Sequence, residues 1–288
     1  MGLLDLEFAT DAARIERNFE RLLGATSGRL GLRVTTASAE LASRLVEGAG
    51  ERQLSFVLAG PVNELAVLRT RAGVRESDLC LAEILSAADV TAAVAIADGL
   101  VARGHEAGGW VGEDSSFILL QKLRGKTAKP VFVQGGIGVR AAAACRAAGA
   151  AGVVLDDCLL LLAESTLPAA MQADIARLNG AECKLLGELL HQPCRAFARP
   201  ASAALKSAEE DTRAAEGETL SVADWATRTN SRLGWQADRL LPLGQSVGLA
   251  ASYRDTYRSV GRLVQAVRRA SLKQVERAAA LNFIDENG

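Results

Sequence analysis

The sequence is poor in metal-binding side chains. It has five cysteines (Cys80, Cys145, Cys158, Cys183 and Cys194), with no CxxC pair among them, and two histidines, His105 and His191. A zinc site needs such residues clustered at short, fixed spacings, so the pattern argues against a metal centre. An odd, scattered cysteine count fits free thiols in a reducing compartment. No charge of either sign dominates: 33 Lys plus Arg face 34 Asp plus Glu, for a net charge of -1. A nucleic-acid partner would need a broad basic patch, and none is expected. Long apolar runs are missing too. The longest, 153–163, is interrupted by Asp156 and Asp157, and a membrane span needs about 18 uninterrupted apolar residues. No basic segment followed by an apolar one opens the chain, so a cytoplasmic location is expected.

What is present is a large supply of small aliphatic residues. Hydrophobic types make up 49% of the 288 residues and aromatics 4%, which suits Ala-rich helices packed on short Val/Leu strands. Apolar runs of strand length alternate with helix-period segments up to about residue 164. The strands are expected at Gly2–Phe8, Leu30–Val34, Gln53–Ala59, Leu79–Ile84, Asp98–Ala102, Pro130–Gln134 and Gly152–Leu155. Strands separated by single helices predict parallel pairing through right-handed crossovers, and their continuous apolar character predicts cover on both faces. Such a pattern fits a (β/α)8 barrel short of one strand, whose place would be before Met1. It also fits an open doubly wound sheet. We therefore expect a barrel region over 1–168, an insertion or linker over 169–219 and a helical C-terminal extension over 220–288. In the last of these, Val260, Leu263, Val264, Val267 and Leu272 mark an amphipathic helix.

In a parallel barrel, ligands sit at the C-terminal strand ends. Two glycine-rich segments fall there. Gly104–Gly112 reads GHEAGGWVG, and four glycines in nine residues let backbone approach a ligand closely. Gln134–Gly138 reads QGGIG, between a strand and a helix, where successive N–H groups and a helix N-terminus attract phosphate. His105 can act as an acid or base near neutral pH, or be a solvated loop residue. Glu106 is expected to fix its loop, Ser115 to cap the following helix, and Arg103 and Lys122 to be surface charges. Asp157 either caps the helix starting at Cys158 or, with Asp156, repels a phosphate at the neighbouring strand end.

The succession GHEAGGWVG, SSFILLQKL, PVFVQGGIG and AAACRAAGAAGVVLDD resembles the nitronate monooxygenase (2-nitropropane dioxygenase-like) flavoproteins. The similarity covers roughly residues 2–165 and is strongest between Asp98 and Asp157. It is closest to divergent barrels fused to polyketide and polyunsaturated fatty acid synthases, and LLPLGQ (240–245) fits the segment that follows such barrels. The resemblance implies a TIM barrel that binds FMN, with Gly108 and Gly109 near the flavin and Gln134, Gly135 and Gly136 at its phosphate. It also implies an acyl or other small-molecule substrate and a polyketide or fatty acid synthase partner. Three departures stand out. Trp110 occupies the place of the family's catalytic histidine, which leaves His105 as the nearby candidate. The phosphate turn after the eighth strand is replaced by Asp156-Asp157. The first strand and its flavin loop are missing, and the sheet edge this exposes predicts a homodimer or a partner interface. The expected function is a flavin-dependent oxidoreductase-like barrel, the alternative a docking or structural barrel that has lost base and flavin.

Overall fold

The computed structural model describes residues 1–200 and 202–285, from 275 onward by backbone alone. The chain divides into two compact units, Met1–Val101 with Gly125–Val131, and Ala102–Arg124 with Phe132–Gly288.

The first unit is built from strand–helix repeats. β1 (Gly2–Asp5) leads through α1 (Ala12–Ala25) to β2 (Leu30–Val34), then α2 (Ala39–Gly48), β3 (Leu54–Leu58), α3 (Leu65–Arg71), β4 (Leu79–Ile84), α4 (Val90–Ile96) and the start of β5 (Gly99–Arg103). β1 stops three residues before its expected end because the Asp5 carboxylate accepts the Glu7 N–H at 2.9 Å and turns the chain. β2, β3 and β5 are buried along their whole length. Leu32 and Val34 on β2 and their partners Phe56 and Leu58 on β3 share one apolar face, each worth about 1.5–3 kcal/mol when fully removed from water, while Arg33, Ser55 and Val57 are buried on the other.

A buried ion pair closes this unit's interior. Arg33 on β2 donates to both carboxylate oxygens of Glu83 on β4, at 2.8 and 2.9 Å, and also reaches Asp5 and Glu7. Burial alone would lower the Arg33 pKa. The facing Glu83, Asp5 and Glu7 carboxylates outweigh it and hold the guanidinium well above its ordinary value.

The second unit carries the rest of β5, then β6 (Gly109–Trp110), α5 (Ser116–Arg124), most of β7 (Val131–Gln134), α6 (Val139–Ala147), β8 (Gly152–Val153) and α7 (Ala169–Ile175). Beyond these come β9 (Lys184–Leu186), β10 (Cys194–Ala196), α8 (Ala203–Glu216), α9 (Val222–Arg232), α10 (Ala250–Tyr257) and α11 (Val260–Asp285). β6, β10 and β9 form a small antiparallel sheet. Within the expected insertion or linker of 169–219 lies α8, capped by Ser202. A second core gathers Leu161, Met171, Ile175, Phe197, Leu243 and Val247. α11 packs along α6. Its Leu263 and Val267 are buried while Val264 and Leu272 face outward, so the apolar stripe is narrower than the sequence suggests.

The seven long-sheet strands run in the order β1-β2-β3-β4-β5-β7-β8, with parallel registers. Sequential order decides between the two architectures the sequence left open. A doubly wound sheet reverses direction from a central strand, whereas a barrel proceeds neighbour by neighbour. The fold is α/β, a TIM-barrel-type sheet of seven strands rather than eight. Among the described residues, no helix is long and apolar enough to cross a membrane, and no group of His, Cys, Asp and Glu is arranged to hold a metal ion.

Candidate active site

The candidate residues collect in the second unit, at the ends of β5, β7 and β8. β7 ends at Gln134, and the chain then turns through Gly135 and Gly136, whose φ angles are +103° and +66°. Side chains rarely adopt such values, so glycine is required for this turn. Its consequence is a row of N–H groups, since positive φ points successive amides to one side. Among the described residues, no protein group accepts from the N–H of Gly135, Gly136 or Ile137. The turn opens α6, and its geometry suits an anion such as a flavin phosphate.

The loop after β5 lies against this turn. A Cβ on Gly135 would come within 3.0 Å of the Ala107 nitrogen, and one on Gly136 within 3.2 Å of Glu106 Cβ. On its other side the loop meets the segment 242–245. A Cβ on Gly108 would overlap the Pro242 carbonyl, and Gln245 N–H donates to the Glu106 carbonyl at 2.8 Å. The small residue at 108 is thus demanded by backbone packed against backbone. Glu106 does fix its loop, accepting the Ser116 N–H at 2.9 Å. Ser115 accepts the Ile118 N–H at 3.3 Å, as expected of a cap.

Two expectations need correcting. Arg103 is buried, 5% exposed, and not a surface charge. Its guanidinium donates to the carbonyls of Gly108 and Trp110 and so sets the shape of the glycine loop from beneath. Asp157 does not cap the turn that follows it. Asp156 does so by accepting the Asp157 N–H at 2.8 Å. The Asp157 carboxyl instead accepts the Gly244 N–H at 2.6 Å and lies 3.3 Å from Ser246 Oγ. Burial, and then the neighbouring Asp156, push its pKa well up, against the opposing pull of Gly244, Arg103 and Ser246. Lys122, as expected, is a half-exposed charge, paired with Asp114.

His105 is turned into its own loop. Its Nδ1 lies 3.0 Å from the Gly112 carbonyl, which can only accept, so Nδ1 carries a proton and Nε2 is the exchangeable nitrogen. Trp110 pairs in β6 with Cys194. Its indole meets Trp225 edge-on, and its Nε1 donates to Asn230 Oδ1 at 2.7 Å.

Sequence reasoning missed Ser246 and Tyr253, and the loop-shaping role of Arg103. The Tyr253 hydroxyl accepts the Val139 N–H, the first of α6, at 2.8 Å. Nothing local to these residues signals these roles. Each depends on contacts between segments from five to more than a hundred positions apart.

A family model described as "Nitronate monooxygenase" matches residues 45–273. The chain belongs to the nitronate monooxygenase family. No curated protein matches it in sequence. Solved structures similar to this family member include FabK from Thermotoga maritima, with a TM-score of 0.70 and 19% identity over 95% of this chain and 85% of that one. The nitroalkane oxidase from Streptomyces ansochromogenes aligns with a TM-score of 0.62 and 20% identity over 96% and 89%. The enoyl reductase domain of MlnA, from the macrolactin biosynthesis cluster of Bacillus amyloliquefaciens, aligns with a TM-score of 0.63 and 10% identity over 95% and 89%. At these identities the likeness establishes the fold the family member shares with them.

Proposed function

We propose that this member of the nitronate monooxygenase family is an FMN-dependent oxidoreductase acting on an acyl substrate of polyketide or fatty acid synthesis. The Gly135–Gly136 turn carries the reading. It offers N–H groups of Gly135, Gly136 and Ile137 at the end of β7, where barrels of this type hold phosphate. Bound there, the flavin would supply the redox chemistry. The chain's own residues would position it: Gln134, Gly135 and Gly136 at the phosphate, and the backbone of Gly108 and Gly109 along its edge. His105, through Nε2, is the candidate proton carrier. With an indole at 110, the position next to the glycine pair has no base, and this disfavours nitronate oxidation relative to reduction of an unsaturated acyl chain.

The acyl setting rests on fold likeness to FabK and to an enoyl reductase domain of a macrolactin cluster. A polyketide or fatty acid synthase is the partner this suggests. A homodimer is also part of the proposal, through β1, which pairs with β2 and with no other strand among the described residues.

Specific observations favour a second reading, a barrel kept for docking or structure. Asp156 and Asp157 stand beside the anion-binding turn, Tyr253 takes the first N–H of α6, and Pro242 covers Gly108. Turnover separates the two. With FMN supplied, the oxidoreductase reading expects NADH- or NADPH-dependent reduction of an enoyl thioester. A protein that neither reduces enoyl thioesters nor oxidises a nitronate is the docking barrel.

A further inference from the structure

The glycine turn has an acidic neighbour. β8 pairs in parallel with β7, Phe132 with Gly152 and Val133 with Val153, so Asp156-Asp157 and Gly135-Gly136 leave adjacent strand ends together. Contact between the two ends is direct, with Gln134 Nε2 lying 3.4 Å from Asp156 Oδ2. Ser246 Oγ lies 3.0 Å from Asp156 Oδ1 and 3.3 Å from Asp157 Oδ2, and its single proton cannot serve both at once.

Few charges nearby offset the pair. Arg103 is the cation acting on Asp157, and its guanidinium is engaged with the loop carbonyls of Gly108 and Trp110. Cys158 and Cys183 also face the pair, and burial pushes both thiols up to about 12, so they stay neutral. Glu106 adds another carboxylate on the loop side, bound to the Ser116 N–H. Arg140 and the Tyr253 hydroxyl stand at the first turn of α6. A phosphate monoester titrates near pH 6 and carries close to two negative charges above it. Set beside two carboxyls at low dielectric, it is repelled until a proton is taken up.

We propose, resting on the flavin reading above, that the Asp156–Asp157 pair sets this seat against a doubly charged phosphate, so that FMN binds with uptake of a proton while riboflavin binds without one. The two flavins share the ring and differ in the phosphate, so the comparison isolates the pair's effect.

The test is titration of the full chain with FMN and with riboflavin, read by flavin fluorescence, from about pH 6 to about pH 8. We expect FMN affinity to fall with rising pH by up to about tenfold per unit, with riboflavin affinity flat. Asp156→Asn keeps an acceptor for Asp157 N–H and Ser246 and removes the charge. It is expected to tighten FMN binding at the upper pH by roughly tenfold and to flatten the slope. If that variant does not fold by circular dichroism, Asp157→Asn serves in its place, with the same expectation. FMN binding with no pH slope, or a slope the Asn variants leave intact, overturns this inference and leaves the flavin reading standing. Binding of neither flavin, to native chain or variants, overturns both.

Discussion

Trp110 and Trp225 meet edge to face, 5.4 Å apart between ring centroids with an interplanar angle of 86°. Trp225 is fully buried, and its Nε1 donates to Thr212 Oγ1 at 3.0 Å. Trp110 therefore anchors the α8–α9 hairpin to the small sheet. Trp110→Ala is expected to lower stability by about 2–4 kcal/mol through lost packing. Trp110→Phe keeps the ring contact and loses the bond to Asn230, so it should cost about 1 kcal/mol. Urea unfolding of the two variants gives the comparison. Equal, negligible costs would mean the pair holds nothing in place.

The Arg33–Glu83 pair should be far more costly to break than any surface ion pair. The side chains are 5% and 6% exposed, so Glu83→Ala leaves the buried guanidinium with Asp5 and Glu7 as its remaining carboxylates, and a loss of up to about 3 kcal/mol is expected. Arg44→Ala, which breaks an exposed pair with Glu16, should cost under about 1 kcal/mol. Thermal melts of both variants check the contrast.

Asp157 gives a signed pH dependence. Burial and Asp156 raise its folded pKa, so the folded chain keeps a proton that the unfolded chain has lost above about pH 4. Its contribution to stability is therefore fully present below the unfolded value and is lost as pH rises through the folded one. Asp157→Asn still accepts from Gly244 and Ser246 and carries no charge, so its stability should no longer fall over that window and should equal or exceed that of the native chain at the alkaline end. Asp157→Ala leaves the Gly244 N–H without its acceptor and should cost about 1–3 kcal/mol. Denaturant midpoints against pH for the three proteins decide it.

All five cysteines are buried. Burial holds Cys80 at about 11 and Cys158 and Cys183 at about 12. The native chain should react with a thiol reagent at a small fraction of the denatured rate. Rapid labelling of the native protein would contradict the buried placement.

The fold was readable because each strand is a short apolar run punctuated by a helix-period segment, as in β2–α2–β3. The glycine segments were readable for the same reason, since GGIG stands between such a strand and helix. Sheet order was not, because barrel and doubly wound sheets share one local pattern and differ in long-range pairing. Arg103 was misjudged because a lone arginine at a strand end looks like a solvated charge, and only the folded loop supplies carbonyls for it. Asp157 was misjudged in a related way. A carboxylate before a helical turn usually caps it, but here Asp156 does so, and Gly244, 87 residues further on, claims Asp157.

The central claim is that the Gly135–Gly136 turn holds a flavin phosphate. The visible absorption spectrum of the chain, taken after incubation with FMN and desalting, tests it most directly when run beside Gly136→Ala. At a φ of +66° alanine costs about 1 kcal/mol or more and displaces the N–H row. We expect the native chain to retain a bound-flavin spectrum and the variant to lose most of it. A native chain that emerges colourless would contradict the claim, as would a variant that keeps its flavin.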